Sequence, residues 1–301
     1  MKILLLGKNG QVGWELQRSL APLGEVLALD ARSIDYSGDL TDLNGLVSTV
    51  QRYKPNVIVN AAAYTAVDKA ESEPLLAMRV NAEAVAVLAK QACLLGSLLV
   101  HYSTDYVFPG TGEKPWTESD TTAPLNLYGL SKHQGETAIQ ESGCQHLIFR
   151  TSWVYSARGS NFARTMLRLA IERDSLKVID DQFGAPTSAE LLADVSAHAI
   201  WAFQRQPGLG GLYHLAAGGE ASWNSYARFV LNQAEAKGMA LKVSAKDIEA
   251  VPTSAYLTAA KRPANSRLNT EKLRMAFSLY LPDWQSGVTR MLTEVLENYK
   301  C

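Results

Sequence analysis

Cysteine is scarce in this chain. Cys93, Cys144 and Cys301 are the only three, an odd number with no Cys-x-x-Cys spacing. A disulfide framework and a zinc site are both disfavoured, and a reducing compartment fits. Long apolar runs are missing too. No stretch approaches the ~18–20 residues of a membrane helix. The opening MKILLLG is apolar for only four residues before Gly7-Lys8-Asn9-Gly10, too short for a secretory core. Charge of one sign is also lacking. The formal net charge is −1, which leaves no electrostatic footprint for nucleic acid or an anionic membrane. Repeats and low-complexity stretches are absent. These absences together predict a soluble, cytoplasmic protein that binds neither nucleic acid nor membrane. What remains is an ordinary globular composition: 301 residues, 47% hydrophobic and 20% charged, enough for one large domain or two smaller ones.

The apolar pattern alternates between two periods. KILLL (2–6), EVLALD (25–30), NVIVNAA (56–62), SLLVHYST (97–104) and HLIFRTSW (146–153) read as buried strands. Between them, residues 11–21, 41–53, 74–96 and 126–142 carry helical spacing, with Thr41 a candidate N-cap. Strands alternating with helices predict an α/β fold, a doubly wound parallel sheet. After about residue 153 the pattern loosens. A helix at 160–173, a strand at 177–180, an amphipathic helix at 191–204 and a strand at 211–217 precede a mainly helical end. We therefore expect a dinucleotide-binding domain over 1–153 and a mainly substrate-binding domain over 154–301. The helix near 190–205 is placed to pack back onto the first.

Gly7-Lys8-Asn9-Gly10-Gln11-Val12-Gly13 follows the first strand and opens the first helix. Glycines there permit a tight turn and close approach of a pyrophosphate. The helix N-terminus offers unpaired N–H groups and partial positive charge. That is the signature of a Rossmann cofactor site. Asp30 ends the second strand, where an acidic residue bonds the adenosine ribose. Its charge favours NAD, but Arg32 and Lys8 are placed to offset a 2′-phosphate, so both NADH and NADPH are expected. Asp39-Leu40 marks the expected adenine side, and a turn or helix cap is the competing role for Asp39.

Tyr128 and Lys132 form Tyr-x-x-x-Lys. With 12 tyrosines in the chain, such a pair arises by chance, and alone it decides nothing. Its chemistry depends on context. A phenol titrates about three units above neutrality, about 4 kcal/mol from an ideal proton donor. A lysine one helical turn away shares a face with it and is placed to lower that value. Thr104 ends a strand 24 residues earlier, at the carboxyl edge where open α/β sheets bind ligands. Its hydroxyl is placed to fix a substrate carbonyl, with capping as the competing role.

In order and spacing, glycine loop, strand-end Ser/Thr and Tyr-x-x-x-Lys resemble the extended short-chain dehydrogenase/reductases over essentially the whole chain. STDYVF (103–108), APLNLYG (123–129), FRTSWVY (149–155), DQFGAPT (181–187) and RPANSRLN (262–269) are similar to members that reduce a dTDP-linked 4-keto sugar. The resemblance implies that Tyr128 is the proton donor, that Lys132 holds the cofactor ribose and that Thr104 binds the substrate. It places residues 60–65, among them Ala62, Ala63, Tyr64 and Thr65, on the cofactor's ribose and pyrophosphate side, with Tyr102 nearby. Asp105, Tyr106 and Trp153 would frame the sugar, and Arg262 would approach the diphosphate. Core packing remains open for Trp153, and a surface ion pair for Arg262. Related dehydratases carry Thr-Asp-Glu where this chain has Thr104-Asp105-Tyr106, so the carboxylate that water elimination needs there is missing. A non-catalytic cofactor-binding partner of methionine adenosyltransferase resembles the same family, which leaves a regulatory subunit as the alternative.

Members of this family also imply a homodimer and a structural Mg2+ held by glutamates. The matching positions are Glu15, Glu190 and Glu294. Each has a plainer reading: a solvated helix residue, a capping box over Thr187-Ser188-Ala189-Glu190, and an exposed helix face.

Overall fold

The computed structural model describes residues 1–297. The first half alternates as β1 (Lys2–Leu6), α1 (Gln11–Leu20), β2 (Glu25–Leu29), α2 (Leu43–Tyr53) and β3 (Val57–Asn60). Then come the short α3 (Val67–Ala70) and α4 (Pro74–Met78), α5 (Ala84–Leu95), β4 (Leu98–Thr104), α6 (Leu127–Glu141) and β5 (His146–Thr151). The second half adds β6 (Val154–Tyr155), α7 (Phe162–Glu172), β7 (Lys177–Ile179), β8 (Phe183–Gly184), β9 (Thr187–Ser188) and α8 (Ala189–Arg205). It ends with β10 (Gly211–His214), β11 (Ala221–Ser222), α9 (Trp223–Ala236), β12 (Glu249–Val251), α10 (Glu271–Phe277) and α11 (Trp284–Glu297).

Six strands form one parallel sheet in the order β10-β5-β4-β3-β1-β2. The expected doubly wound α/β fold is present. The chain passes from β1 outward to β2, then returns across β1 to β3. This reversal opens a crevice at the carboxyl ends of β1 and β3, where such sheets bind ligands. Both faces of the sheet are covered, which is why the strands read as unbroken apolar runs. Along β1, Ile3 and Leu5 join the core shared with α1, α8 and α10, while Leu4 and Leu6 join the core shared with α2 and α5. A third core, built from α7, α9 and α11 around Tyr155, Tyr226 and Trp284, lies in the second half. Leu192 and Ile200 of α8, and Tyr213 of β10, belong to the sheet's core although both elements follow residue 153.

Three local readings need correction. The N-cap of α2 is Asp42, not Thr41. Asp42 accepts from Gly45 N at 2.9 Å, while Thr41 is bound to Asp39. The helix expected over 74–96 is interrupted by a π-turn at Arg79–Glu83, which turns Asn81 inward. The cap of α8 is Ser188, which accepts from Leu191 N at 3.1 Å. Glu190 does not close a capping box; it pairs with Arg290 at 3.0 Å.

Candidate active site

The glycine loop is shaped by crowding. Gly7 has φ +88°, and a Cβ there would lie 2.7 Å from Ala62 N. A Cβ on Gly13 would lie 2.0 Å from Gly7 O, so only glycine lets α1 press against the turn. Gly10 is under less constraint, with ordinary φ and its nearest neighbour at 3.3 Å. Gly10 caps α1 without a side-chain bond. The first amides of α1, at Gln11, Val12 and Gly13, therefore have no side-chain cap to satisfy them, and they suit an anion.

Asp30 is fixed rather than free. Its carboxylate accepts from Asn9 Nδ2, from Ser33 Oγ at 3.0 Å and from Arg32 N at 3.0 Å. The Ser33 bond does most to hold it below the usual carboxylate range, with Lys8 and Arg32 adding favourable charge. A small cavity collects Asn9, Asp30, Asp39, Leu40, Ala62 and Ala63. Asp39 lines it while also accepting from Thr41 N and Thr41 Oγ1, both at 2.8 Å, as the turn reading expects.

A larger cavity of about 700 Å³ adjoins it and shares Gly7 and Gly10. Gln11, Val12 and Thr65 line the cofactor end. Thr104, Tyr128 and Lys132 line the same space. So do Asp105, Tyr106 and Trp153, with Tyr102 between the two groups. Six residues expected at the cofactor or substrate lie outside both linings: Gly13, which acts through packing, and Lys8, Arg32, Asn60, Tyr64 and Arg262. Tyr64 donates to Glu73 at 2.6 Å, and both its backbone groups are held by Asn81.

Tyr128 sits in the first turn of α6. Asn126 caps that helix by accepting from Gly129 N at 2.8 Å. Gly129 is needed because a Cβ would lie 2.2 Å from Tyr106 O; the close approach seats Tyr128 edge-on to Tyr106, 5.7 Å between centroids. Burial pushes the Tyr128 phenol up to about 12, against a lowering hydrogen bond from Thr104. The expected lowering by Lys132 is not seen. Lys132 is itself 2% exposed, and its ammonium turns to Tyr102 O at 2.6 Å and His101 Nε2 at 3.2 Å. Burial pushes Lys132 down to about 8, with Glu136 opposing.

Thr104 Oγ1 donates to Asp105 Oδ1 at 3.1 Å and accepts from Tyr106 N at 3.2 Å, so it caps the turn while lining the cavity. Burial pushes the Asp105 carboxyl up to about 7, with Ser266 and Thr104 opposing, and its Oδ2 has no partner. Such an orphaned buried atom suits a ligand hydroxyl. Trp153 has φ +48°, a strained conformation for a bulky side chain. Its indole stacks on Trp223 with centroids 3.5 Å apart and an angle of 12°. Gly184 leaves room for it, since a Cβ there would lie 2.8 Å from the Trp153 ring. Arg262 does make an ion pair, with Asp68 at 2.6 Å. Its Nη1 is buried without a partner.

Glu15, Glu190 and Glu294 come from α1, α8 and α11. Burial, and after it the charge of Glu190 and Glu294, pushes Glu15 up, so the three carboxylates are neighbours. Arg18 and Arg290 sit among them. Among the described residues no group of three or more His, Cys, Asp or Glu side chains converges as a metal site. One copy of the chain therefore does not assemble the expected Mg2+ ligand set from these glutamates.

Sequence reading passed over several residues here. Trp223 lines the cavity, but its position after the Ser222 cap gives no chemical signal. Asn81 donates to Tyr64 O and Ser131 Oγ, both at 3.0 Å; a polar residue in an apolar helical run was the available clue. Asp68, in the short α3, and Ser266, in a loop, support Arg262 and Asp105 from segments too short or irregular to carry periodicity.

Comparison with known proteins accords with this geometry. Residues 1–297 match the family described as the RmlD substrate binding domain. The dTDP-4-dehydrorhamnose reductase of Shigella flexneri is 59% identical over 295 residues, covering 98% of each chain. That of Escherichia coli K12 is 58% identical with the same coverage. The crystal structure of dTDP-4-dehydrorhamnose reductase from Bacillus anthracis in complex with NADP is 33% identical. It has a TM-score of 0.85 and covers 97% of this chain and 99% of that one.

Proposed function

We propose a reaction for this chain from one premise: it belongs to the RmlD substrate binding domain family, whose matched relatives are dTDP-4-dehydrorhamnose reductases. The chain is an NAD(P)H-dependent oxidoreductase. It reduces the 4-keto group of dTDP-4-dehydro-L-rhamnose to dTDP-L-rhamnose, the last step in making the rhamnose donor for bacterial surface polysaccharide such as O-antigen. The observation that carries this reading is the shared cavity. The bare N-terminus of α1 and the Thr104, Tyr128 and Lys132 side chains face one space.

The residues fit a nicotinamide dinucleotide. Gly7 and Gly13 allow backbone approach to the pyrophosphate, and Asp30 is set for the adenosine ribose. When bound, the cofactor supplies the hydride to sugar C4. Thr104 orients the carbonyl. Tyr128 is half-buried, and desolvation makes it hold its proton firmly, so it can donate only when charge develops on the C4 oxygen in hydrogen-bond contact. Lys132 holds the nicotinamide ribose. Asp105, Tyr106 and Trp153 frame the sugar, and Arg262, beside them, approaches the diphosphate.

The domain division follows the same logic: residues 1–153 with α8 serve the cofactor, and residues 154–301 mainly serve the sugar nucleotide. No described helix is long and apolar enough to cross a membrane. We propose separately that the reaction is cytoplasmic. A homodimer is proposed, with any structural Mg2+ shared between copies through Glu15, Glu190 and Glu294. Chelator should then shift the sedimenting species without stopping turnover. The alternative of a regulatory subunit is not favoured, since the full catalytic set is present. The deciding assay is NADPH absorbance with dTDP-4-dehydrorhamnose beside its GDP and UDP counterparts. Loss of absorbance with the dTDP sugar supports the reading; none with any 4-keto sugar nucleotide would overturn it.

A further inference from the structure

We propose that His101 is a positioning residue for Lys132, and that the fixed hydrogen-bond polarity running from Ala62 through Asn60 and His101 disfavours the protonated form of Lys132. The inference rests on the reading of Lys132 as the residue that holds the cofactor ribose.

The chain of bonds can be oriented from its backbone end. Ala62 N–H is a donor only, and it meets Asn60 Oδ1 at 3.2 Å. That fixes the amide, because the reverse placement would set two donors against each other. Asn60 Nδ2 therefore faces His101 Nδ1, at 3.2 Å, and donates to it. His101 Nδ1 must then carry the lone pair, which places the imidazole hydrogen on Nε2. Nε2 lies 3.2 Å from Lys132 Nζ. An Nε2–H needs a lone pair there, which an amine has and an ammonium lacks. For Lys132 to hold its proton, His101 must shift its hydrogen to Nδ1, where it meets the amide hydrogens of Asn60. Either arrangement of a charged Lys132 leaves one donor facing another in a buried site, and buried polar groups without partners are costly.

All three side chains are buried: Asn60 and His101 are 1% exposed and Lys132 2%. Lys132 borders the main cavity, but Asn60 and His101 line neither cavity, so the Asn60–His101 contact is shielded from the water that reaches Lys132. The remaining bond of Lys132, to Tyr102 O at 2.6 Å, suits an amine and an ammonium alike. The titratable groups around Lys132 are His101 and Tyr102 on β4 and Tyr128 and Glu136 on its own helix. Glu136 favours the charged form but is itself engaged by Arg150 at 2.6 and 2.9 Å. Asp105 follows β4, and β3 contributes only the neutral Asn60. Burial, which pushes Lys132 down and His101 well below its ordinary value, acts in the same direction as the polarity argument.

The consequence is a lysine that gives up its proton to solvent at a lower pH than burial alone would set, under the control of a side chain that does not line the cavity. Two substitutions reverse the polarity by different routes. His101→Gln offers an amide free to turn its Oε1 toward Lys132. Asn60→Asp gives one carboxylate oxygen to Ala62 N–H and the other to an Nδ1–H, so that Nε2 accepts from the ammonium. The measurement is the titration of Lys132 Nζ by nitrogen-15 NMR, its peak identified by loss in Lys132→Met. No sugar nucleotide is needed, so the outcome does not depend on which sugar is reduced. Either variant should move the titration up by about one pH unit or more, and should move the alkaline limb of NADH binding with it. A role in packing alone would lower stability and leave the titration in place in His101→Gln, the variant that adds no charge; in Asn60→Asp the new carboxylate also favours the ammonium directly. If Lys132 titrates at the wild-type pH in whichever of the two variants folds, the proposal is overturned.

Discussion

The two ends of the main cavity are built from different materials. The cofactor end is made of backbone: a turn at Gly7, a helix start at Gly10 and a close contact at Gly13. The catalytic end is made of side chains, half-buried Tyr128 and buried Lys132 and Asp105, whose protons are all held away from their ordinary values by desolvation. Backbone recognition is set by space, so one methyl group can break it. Side-chain chemistry is set by solvation, so pH and charge are what disturb it.

The sharpest way to break the comparison is within the glycine loop. Gly13→Ala places a methyl 2.0 Å from Gly7 O, so the turn or the helix must move. Cofactor affinity should fall at least ~10-fold and Tm should drop. Gly10→Ala has 3.3 Å of clearance and should change affinity by less than about threefold. Equal effects in a titration of NADPH fluorescence would mean that space does not govern this end.

At the other end, Asp105 should show itself through pH. Its folded value, about 7, lies above the 3.8 expected unfolded. The folded state therefore binds the proton more tightly. That contribution is present in full below about pH 4 and is lost as pH rises through about 7. Asp105→Asn should thus gain stability relative to wild type from acid to neutral pH, by up to about 4 kcal/mol. A denaturant series at pH 4 and pH 8 checks it; a constant difference would contradict the assignment. Arg262→Ala removes a guanidinium with one unpartnered nitrogen. The KM for the sugar nucleotide should rise about 10–100-fold, equivalent to about 1–3 kcal/mol, with little change in cofactor affinity. Smallest of all, Arg32→Ala should weaken NADPH a few-fold and leave NADH almost unchanged, since Asp30 is already held by Asn9 and Ser33. Equal shifts in both KM values would remove Arg32 from the site.

The same contrast explains what was legible in the sequence. The parallel sheet announced itself because strands buried on both faces are continuous apolar runs, as in KILLL. The glycine loop was legible because only glycine satisfies its contacts. Tyr128, Lys132 and Thr104 were readable as a set through order and spacing. Their electrostatics were not. A lysine four residues away predicted a lowered tyrosine, whereas burial and the attachment of Lys132 to Tyr102 O leave Tyr128 raised. Sequence spacing carries proximity along one helix but not desolvation, which comes from the whole fold. Trp223, Asn81, Asp68 and Ser266 escaped notice for a related reason. Asn81 and Asp68 come from the first half and Trp223 and Ser266 from the second, and only the tertiary fold sets them beside the residues they support.

The central claim is that Tyr128 gives the proton while the backbone end independently holds the cofactor. Tyr128→Phe tests it most directly, because it removes one oxygen and little packing. Cofactor binding by fluorescence and NADPH oxidation with dTDP-4-dehydrorhamnose should be measured on the same preparation. The account predicts cofactor affinity within about threefold of wild type and turnover reduced at least ~100-fold. Turnover above about a tenth of wild type, with the cofactor bound, would contradict it.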